Sequence, residues 1–433
     1  MHWTEEQIMG LAPDEASVKA GKGLANSGKW PRLGASDTAL WGEAQGSGKN
    51  PYQTRIDLTN IGYKCSCPSR KFPCKHALGL FLLYARNANG FTRDTPPAWV
   101  SDWLEQRNKR TEKQVEKASK PVDEKAQAKR AEARTKKVAE GVDELQLWLK
   151  DTVRNGLAGI PDKGHQFWNN MAARMVDAQA PGLASMVRTT GNIDFYASGW
   201  ELKVWELLTQ MYLATEGFKH LDQLAQEVQE DVKTIIGWTY KQEELKLQEG
   251  ITDRWWILGK QETQEDRLTV VQHWLKGEKS RRYALILQFI APGQPRETSL
   301  MPATVIEAEL IFYPGHQPLR AFVKELKNTQ PFHQPLGFSD LGEFEKENSL
   351  TLAAFPWSQR MPAVLNAVTP ALLQDKLYLT DKNKKVIPVA CAYNTQWKML
   401  ALSGGHPLDV AGVIENQTIY PLGIWTFSNY HLL

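Results

Sequence analysis

Three of the chain's four cysteines and one histidine fall within twelve residues, as Cys65-Ser66-Cys67, six intervening residues, and Cys74-Lys75-His76. On a strand, residues two apart project to the same side, so Cys65 and Cys67 can aim both sulfurs at one ion. Cys74 and His76 stand where a loop enters an apolar helix. Three thiolates and one imidazole form the closed tetrahedral shell that structural zinc prefers, and both the ion and the positive end of a helix favour the thiolate form. A shell filled by four side chains leaves no position for a reactive water, so such a metal holds the fold together. The competing reading is a set of reduced, buried cysteines with no metal. The fourth, Cys391, lies in the apolar run Val-Ala-Cys-Ala-Tyr, which reads as a strand with an inert buried thiol.

The neighbourhood of this cluster reads as a ββα unit. Tyr52, Thr54, Ile56 and Leu58 alternate with Gln53, Arg55 and Asp57, the period of a half-buried strand. A turn near Asn60 and Gly62 returns the chain through Tyr63 to Cys67. Pro68 and Pro73 bracket a loop, and Cys74 to about Arg86 is helical and apolar around most of its circumference.

The pattern Cys-x-Cys-x6-Cys-x-His, with Pro68-Ser69 after the second cysteine and Lys75-His76-Ala77-Leu78 entering the helix, closely resembles the SWIM zinc finger. The stretch Trp41 to Tyr84 resembles its bacterial examples. The resemblance implies one zinc ion held by Cys65, Cys67, Cys74 and His76, a ββα fold, and a module that binds DNA or other proteins. The overall layout is also similar to that of bacterial SWIM-finger proteins encoded beside MoxR-type AAA+ ATPases and von Willebrand factor A-domain proteins. That likeness implies partners of those two kinds.

The remainder is organised by charge and periodicity. Net charge is +3, but residues 1–140 carry 24 basic and 16 acidic side chains, which leaves the rest at −5. Residues 105–140 hold 12 basic and 7 acidic groups, with Val115, Val122 and Val138 their only large apolar residues. They read as a solvated, semi-helical linker with favourable i,i+4 pairs such as Glu105 with Lys109, or as a basic arm that touches phosphates. From Asp143, with Gln146 three residues on, the period turns helical through Leu145, Trp148, Leu149, Val153 and Leu157. Two further stripes, Phe167 to Val176 and Leu221 to Ile236, read as helix core. Beyond 251 come β-like runs: Tyr283 to Ile290, Val305 to Tyr313, Val386 to Tyr393 and Trp397 to Leu402.

The expected architecture is therefore an α+β multidomain chain. It has an N-terminal region (1–104) with a finger at about 52–86, a basic linker (105–140), a helical region (141–250) and a β-rich region (251–433). The longest apolar runs are too short to cross a bilayer, and the first residues lack the basic and apolar segments of a secretory leader, which points to the cytoplasm.

Other motifs are incomplete. Gly46-Ser47-Gly48-Lys49-Asn50 lacks the first glycine and the terminal Ser or Thr of a phosphate-binding loop and reads as a turn. Ser403-Gly404-Gly405-His406 has no nucleophile elbow around it. The expectation is a protein that is not an enzyme. Lys64, Arg70, Lys71 and Lys75 lie among the zinc ligands, either as phosphate contacts or as ordinary surface charge. Two functions follow as expectations: an adaptor that docks protein partners, or a nucleic-acid binder acting through the finger and the linker.

Overall fold

The computed structural model describes residues 3–46, 50–118, 124–265, 268–291, 300–316, 318–332, 335–358, 360–427 and 429–433. They form two units. One comprises residues 1–115, 248–312 and 319–433, and the other residues 116–247 with 313–318.

The first unit begins with α1 (Glu5–Met9) and α2 (Glu15–Leu24). Each is opened by a side-chain cap, Thr4 accepting from the Gln7 N–H and Asp14 from the Ser17 N–H. Strands β1 (Arg32–Ala35), β2 (Ala39–Ala44), β3 (Tyr52–Asp57) and β4 (Gly62–Cys65) precede α3 (Lys75–Arg86), β5 (Thr92–Arg93) and α4 (Ala98–Ala118). The expected hairpin is β3–β4, turned by Asp57, whose carboxylate accepts from the Thr59 and Asn60 N–H groups. It is the edge of a larger sheet ordered β4-β3-β2-β1-β5.

Helix α3 is buried continuously from His76 to Tyr84, which matches its all-round apolar sequence. It can lie close to α2 because Gly79 has no side chain: a Cβ there would stand inside contact distance of the Leu24 Cβ. The opposite side of β3 is clamped to α4. Arg55 lies over Trp99 and Trp103 at 5.2 and 5.8 Å, while Arg107 lies 5.3 Å over Trp103 and 3.3 Å from the Asp57 carboxylate.

The second unit is helical: α5 (Glu124–Arg154), α6 (Gly164–Asp177), α7 (Pro181–Gly191), α8 (Trp200–Lys219), α9 (Gln226–Ile236) and the short α10 (Gln242–Leu245). Helix α5 starts well before Asp143, which corrects the expected start. Val138 and Val142 continue the Leu145–Leu149 stripe one and two turns back, and both are fully buried in the bundle core. The linker segment thus contributes to a core, although Pro121 and its neighbours lie outside the described residues. The stripe from Leu221 divides into a 3-10 turn at Leu221–Gln223 and α9. Trp168 sits at the centre, edge-on to Trp148 at 5.5 Å. Gly182 brings the start of α7 against the end of α9, since any Cβ would collide with the Ile235 carbonyl.

The chain then returns to the first unit as a closed barrel of β6 (Ile251–Glu265), β7 (Leu268–Gly277), β8 (Tyr283–Ile290), β9 (Thr304–Phe312) and β10 (Arg320–Pro331), in the order β10-β8-β7-β6-β9. Every pairing is antiparallel except β8 with β10. A three-strand meander closed by a crossed pair is the Greek-key order of an OB-type barrel. Trp255, Ile257, Leu275, Ile286 and Leu310 belong to its core.

After α11 (Leu341–Ala354) come β11 (Met361–Leu373), β12 (Lys376–Thr380), β13 (Val386–Pro388), α12 (Tyr393–Ser403), β14 (Leu408–Glu415), β15 (Thr418–Thr426) and β16 (Asn429–Leu432). The six strands form one sheet ordered β13-β12-β11-β14-β15-β16. Leu341, Phe344 and Met399 of the two helices pack with Val410 and Ile424, while Val413 and Leu422 meet Trp274 of the barrel. Two expected strands are corrected here. Residues 397–402 belong to α12, whose buried Met399 and Ser403 recur one turn apart, and β13 ends at Pro388, which leaves Cys391 half-buried in a connection. Short apolar runs do not distinguish strand from helix until a neighbouring sheet selects the face.

The finger region belongs to the same unit as the barrel. The Gln7 amide donates to the buried Ala303 carbonyl at 2.7 Å, the Thr329 hydroxyl to the Thr59 carbonyl at 2.8 Å, and His431 pairs with Glu6 at 2.9 Å. No described helix is long and apolar enough to cross a membrane.

Candidate metal centre

Strand register carries Cys65 to the cluster. It lies opposite Thr54, whose hydroxyl is 3.2 Å from its sulfur. The strand ends there, yet the Ser66 N–H still donates to the Gln53 carbonyl and the Ser66 hydroxyl accepts from the Gln53 N–H, both at 3.0 Å. Cys67 therefore leaves from an anchored backbone. The loop is tightened where the Lys71 N–H donates to the Ser69 hydroxyl at 3.2 Å, and Cys74 occupies the N-cap of α3 with His76 in the first turn. Cys74 and His76 are buried, Cys65 and Cys67 half-buried.

The four donor atoms all lie within 4.8 Å of one another, and His76 Nδ1 is 3.8 Å from Cys65 Sγ. A tetrahedral zinc with Zn–S near 2.3 Å separates its sulfurs by about 3.8 Å, so the set needs to close by no more than about 1 Å. The electrostatics suit a cation. A hydrogen bond from the Cys74 thiol, with help from His76 and Thr54, holds the Cys65 thiol well below its ordinary range despite burial. Cys74 is pushed up by donating that bond and by burial, and Cys67 is pushed up mainly by burial. A divalent ion held by the four donors would favour the thiolate form of all three cysteines. Among the described residues, no second grouping of this kind occurs.

Two supporting residues escaped the sequence reading. Thr54 shares one side of its strand with Tyr52 and Ile56, but its place beside Cys65 depends on the Thr54–Cys65 register, which can be counted back from the Asn60 turn. Tyr52, two residues earlier on the same side, sets its ring 5.1 Å from that of His76. Beside the cluster, α2 and the loop enclose a cleft of about 610 Å³ whose walls include Ala16, Ala20, Tyr52, Pro68, Lys75 and His76.

Lys64, Arg70, Lys71 and Lys75 are all exposed around the cluster. Lys71 is engaged by Asp14 at 2.7 Å, and that bond holds the Asp14 carboxyl down at about 2. Cys391 stands apart from the cluster, with burial raising its thiol. Ser403 donates its hydroxyl to the His406 carbonyl in the turn that closes α12, where Gly404 takes a left-handed φ of 54°. Ser47 to Lys49 lie outside the described residues.

Residues 52–85 match the SWIM zinc finger family, and residues 133–236 match the SWIM-associated four-helix bundle domain. No curated protein and no solved structure matches the chain. The four grouped donors thus lie within the segment that matches the SWIM zinc finger and form a possible metal site, and the helical unit contains the segment that matches the associated bundle.

Proposed function

We propose that this chain is a non-catalytic adaptor of the cytoplasm, in which one structural Zn²⁺ bound by Cys65, Cys67, Cys74 and His76 fixes the finger and the protein docks protein partners. The observation that carries the reading is the closed set of four donors in a SWIM finger, which spends every coordination position on the fold. The barrel adds support. An OB-type barrel typically presents the outer face of its second and third strands to oligonucleotides, and here Trp274 of that face is fully buried against Val413 and Leu422. The partner class implied by the chain's layout is a MoxR-type AAA+ ATPase or a von Willebrand factor A-domain protein.

Exposed Lys64, Arg70 and Lys75 favour a second reading, contact with nucleic-acid phosphates. Recovery of partners on the tagged full-length chain from native extract, with and without nuclease, separates the two. The adaptor reading expects an AAA+ ATPase to co-purify after nuclease, and recovery that vanishes with nuclease overturns it. The second reading expects R70A/K75A to reduce the salt slope of DNA binding by about two.

A further inference from the structure

Helix α8 carries apolar residues around most of its circumference, leaving a narrow polar sector with Lys203, Glu206 and Gln210, although a helix at the surface of a bundle ordinarily turns a broad polar stripe to water. Its inward side, Val204, Leu208 and Met211, is buried in the bundle core. Yet Leu202, Trp205 and Leu213 remain 72%, 49% and 52% exposed. At 100° per residue these three fall with Thr209 in one outward arc, and the charged side chains within that arc are Glu206 and Glu216. Spacings of three, seven and eleven residues from Leu202 form one continuous seam about 16 Å long. Glu216 is held in place by the Gln146 amide at 2.9 Å, and Glu206 by that of Gln210 at 3.4 Å. Both carboxylates are therefore positioned beside the apolar seam.

We infer that the outward face of α8 is a docking site for one amphipathic helix of a partner protein, with apolar residues on the seam and lysine or arginine beside Glu206 and Glu216. Charge selects this occupant: an acidic-rimmed apolar seam complements a basic amphipathic helix and repels an acidic one. Area argues against a second copy of the chain, because three partly exposed side chains amount to a few hundred Å² at most. A stable interface needs about 800 Å² from each partner.

The inference rests on the protein-docking reading above. Its test is fluorescence anisotropy of a labelled, designed helix of about 18 residues with a leucine seam and lysine flanks. The full-length chain is titrated into this probe and into a twin with glutamate flanks. The lysine-flanked probe is expected to bind at least about tenfold tighter than the twin. Leu202→Glu, at a position already largely in water, and separately Leu213→Ala should each weaken it by about tenfold. Glu206→Lys should narrow the gap between probe and twin. Circular dichroism and zinc content confirm that each variant is folded. Equal binding of probe and twin overturns the inference, as does unchanged binding by folded Leu202→Glu, or a dimer in sedimentation that Leu202→Glu dissolves. Nuclease-sensitive recovery sinks the adaptor reading itself, whereas loss of this site with nuclease-resistant recovery intact sinks the α8 inference alone.

Discussion

The finger loop and the helical bundle confine their chains by opposite means. Between Tyr63 and Cys74 the chain has little apolar side-chain mass, its backbone is tied by a few bonds such as Ser66 to Gln53 and Lys71 to Ser69, and four donor atoms converge from its two ends. The bundle carries no such cluster among its described residues, and instead places Trp168, Met175, Leu183, Val187 and Met211 in a continuous apolar core. A short loop cannot bury enough surface to offset its conformational entropy, so under the proposed zinc reading it should depend on coordination; helices of ten or more residues can bury enough. The two regions should therefore fail independently and in response to different insults.

The largest effect should come from the ligands. His76→Ala or Cys74→Ser is expected to abolish stoichiometric zinc, since structural zinc in finger peptides contributes about 10–16 kcal/mol. Elemental analysis would show the loss. Hydrogen exchange should report deprotection of residues 63–76 with the bundle unchanged, and retained zinc in both variants would break the comparison. Next, Trp168→Ala should cost the bundle about 3–5 kcal/mol while zinc content stays intact, measured by denaturant unfolding followed with probes in each region. Gly182→Val tests the close approach of α7 to α9 and should cost about 1–3 kcal/mol through overpacking.

The smallest effect concerns the Lys71–Asp14 pair that ties α2 to the finger loop. The hydrogen bond from Lys71 depresses the Asp14 carboxyl to about 2, below its unfolded value. A depressed acid contributes stability above the unfolded pKa and loses it as pH falls through the folded one. Asp14→Asn should therefore weaken exchange protection of α2 slightly at pH 7, and the difference from wild type should shrink between about pH 4 and pH 2. The pair is exposed, so a pronounced effect at neutral pH would mean that it closes the neighbouring cleft more firmly than surface pairs do.

What could be read without coordinates was local. The ligand spacing, the Asn60 turn and the all-round apolar α3 are short-range patterns, and each has its counterpart in the structure. Misreadings arose where a short apolar stretch was ambiguous or a strong cap signal misled. Residues 397–402 looked like a strand and form part of α12, and Asp143 looked like a helix start although α5 runs through it. Thr54 beside Cys65 required the strand register. The exposed seam on α8 was hidden because apolar residues cover both its inward and its outward faces, and periodicity alone gives no sign of which of the two faces water.

The sequence alone determined that four possible metal donors come together, because donors within twelve residues need only one hairpin and one helix start to meet. Only the tertiary structure decided that residues 1–115 join residues 248–312 and 319–433 in one unit, and that the outer face of an OB-type barrel buries Trp274 against a six-stranded sheet. Those outcomes depend on contacts such as Gln7 with Ala303, nearly three hundred residues apart. Local periodicity carries no information about which distant surface will exclude water from a given face.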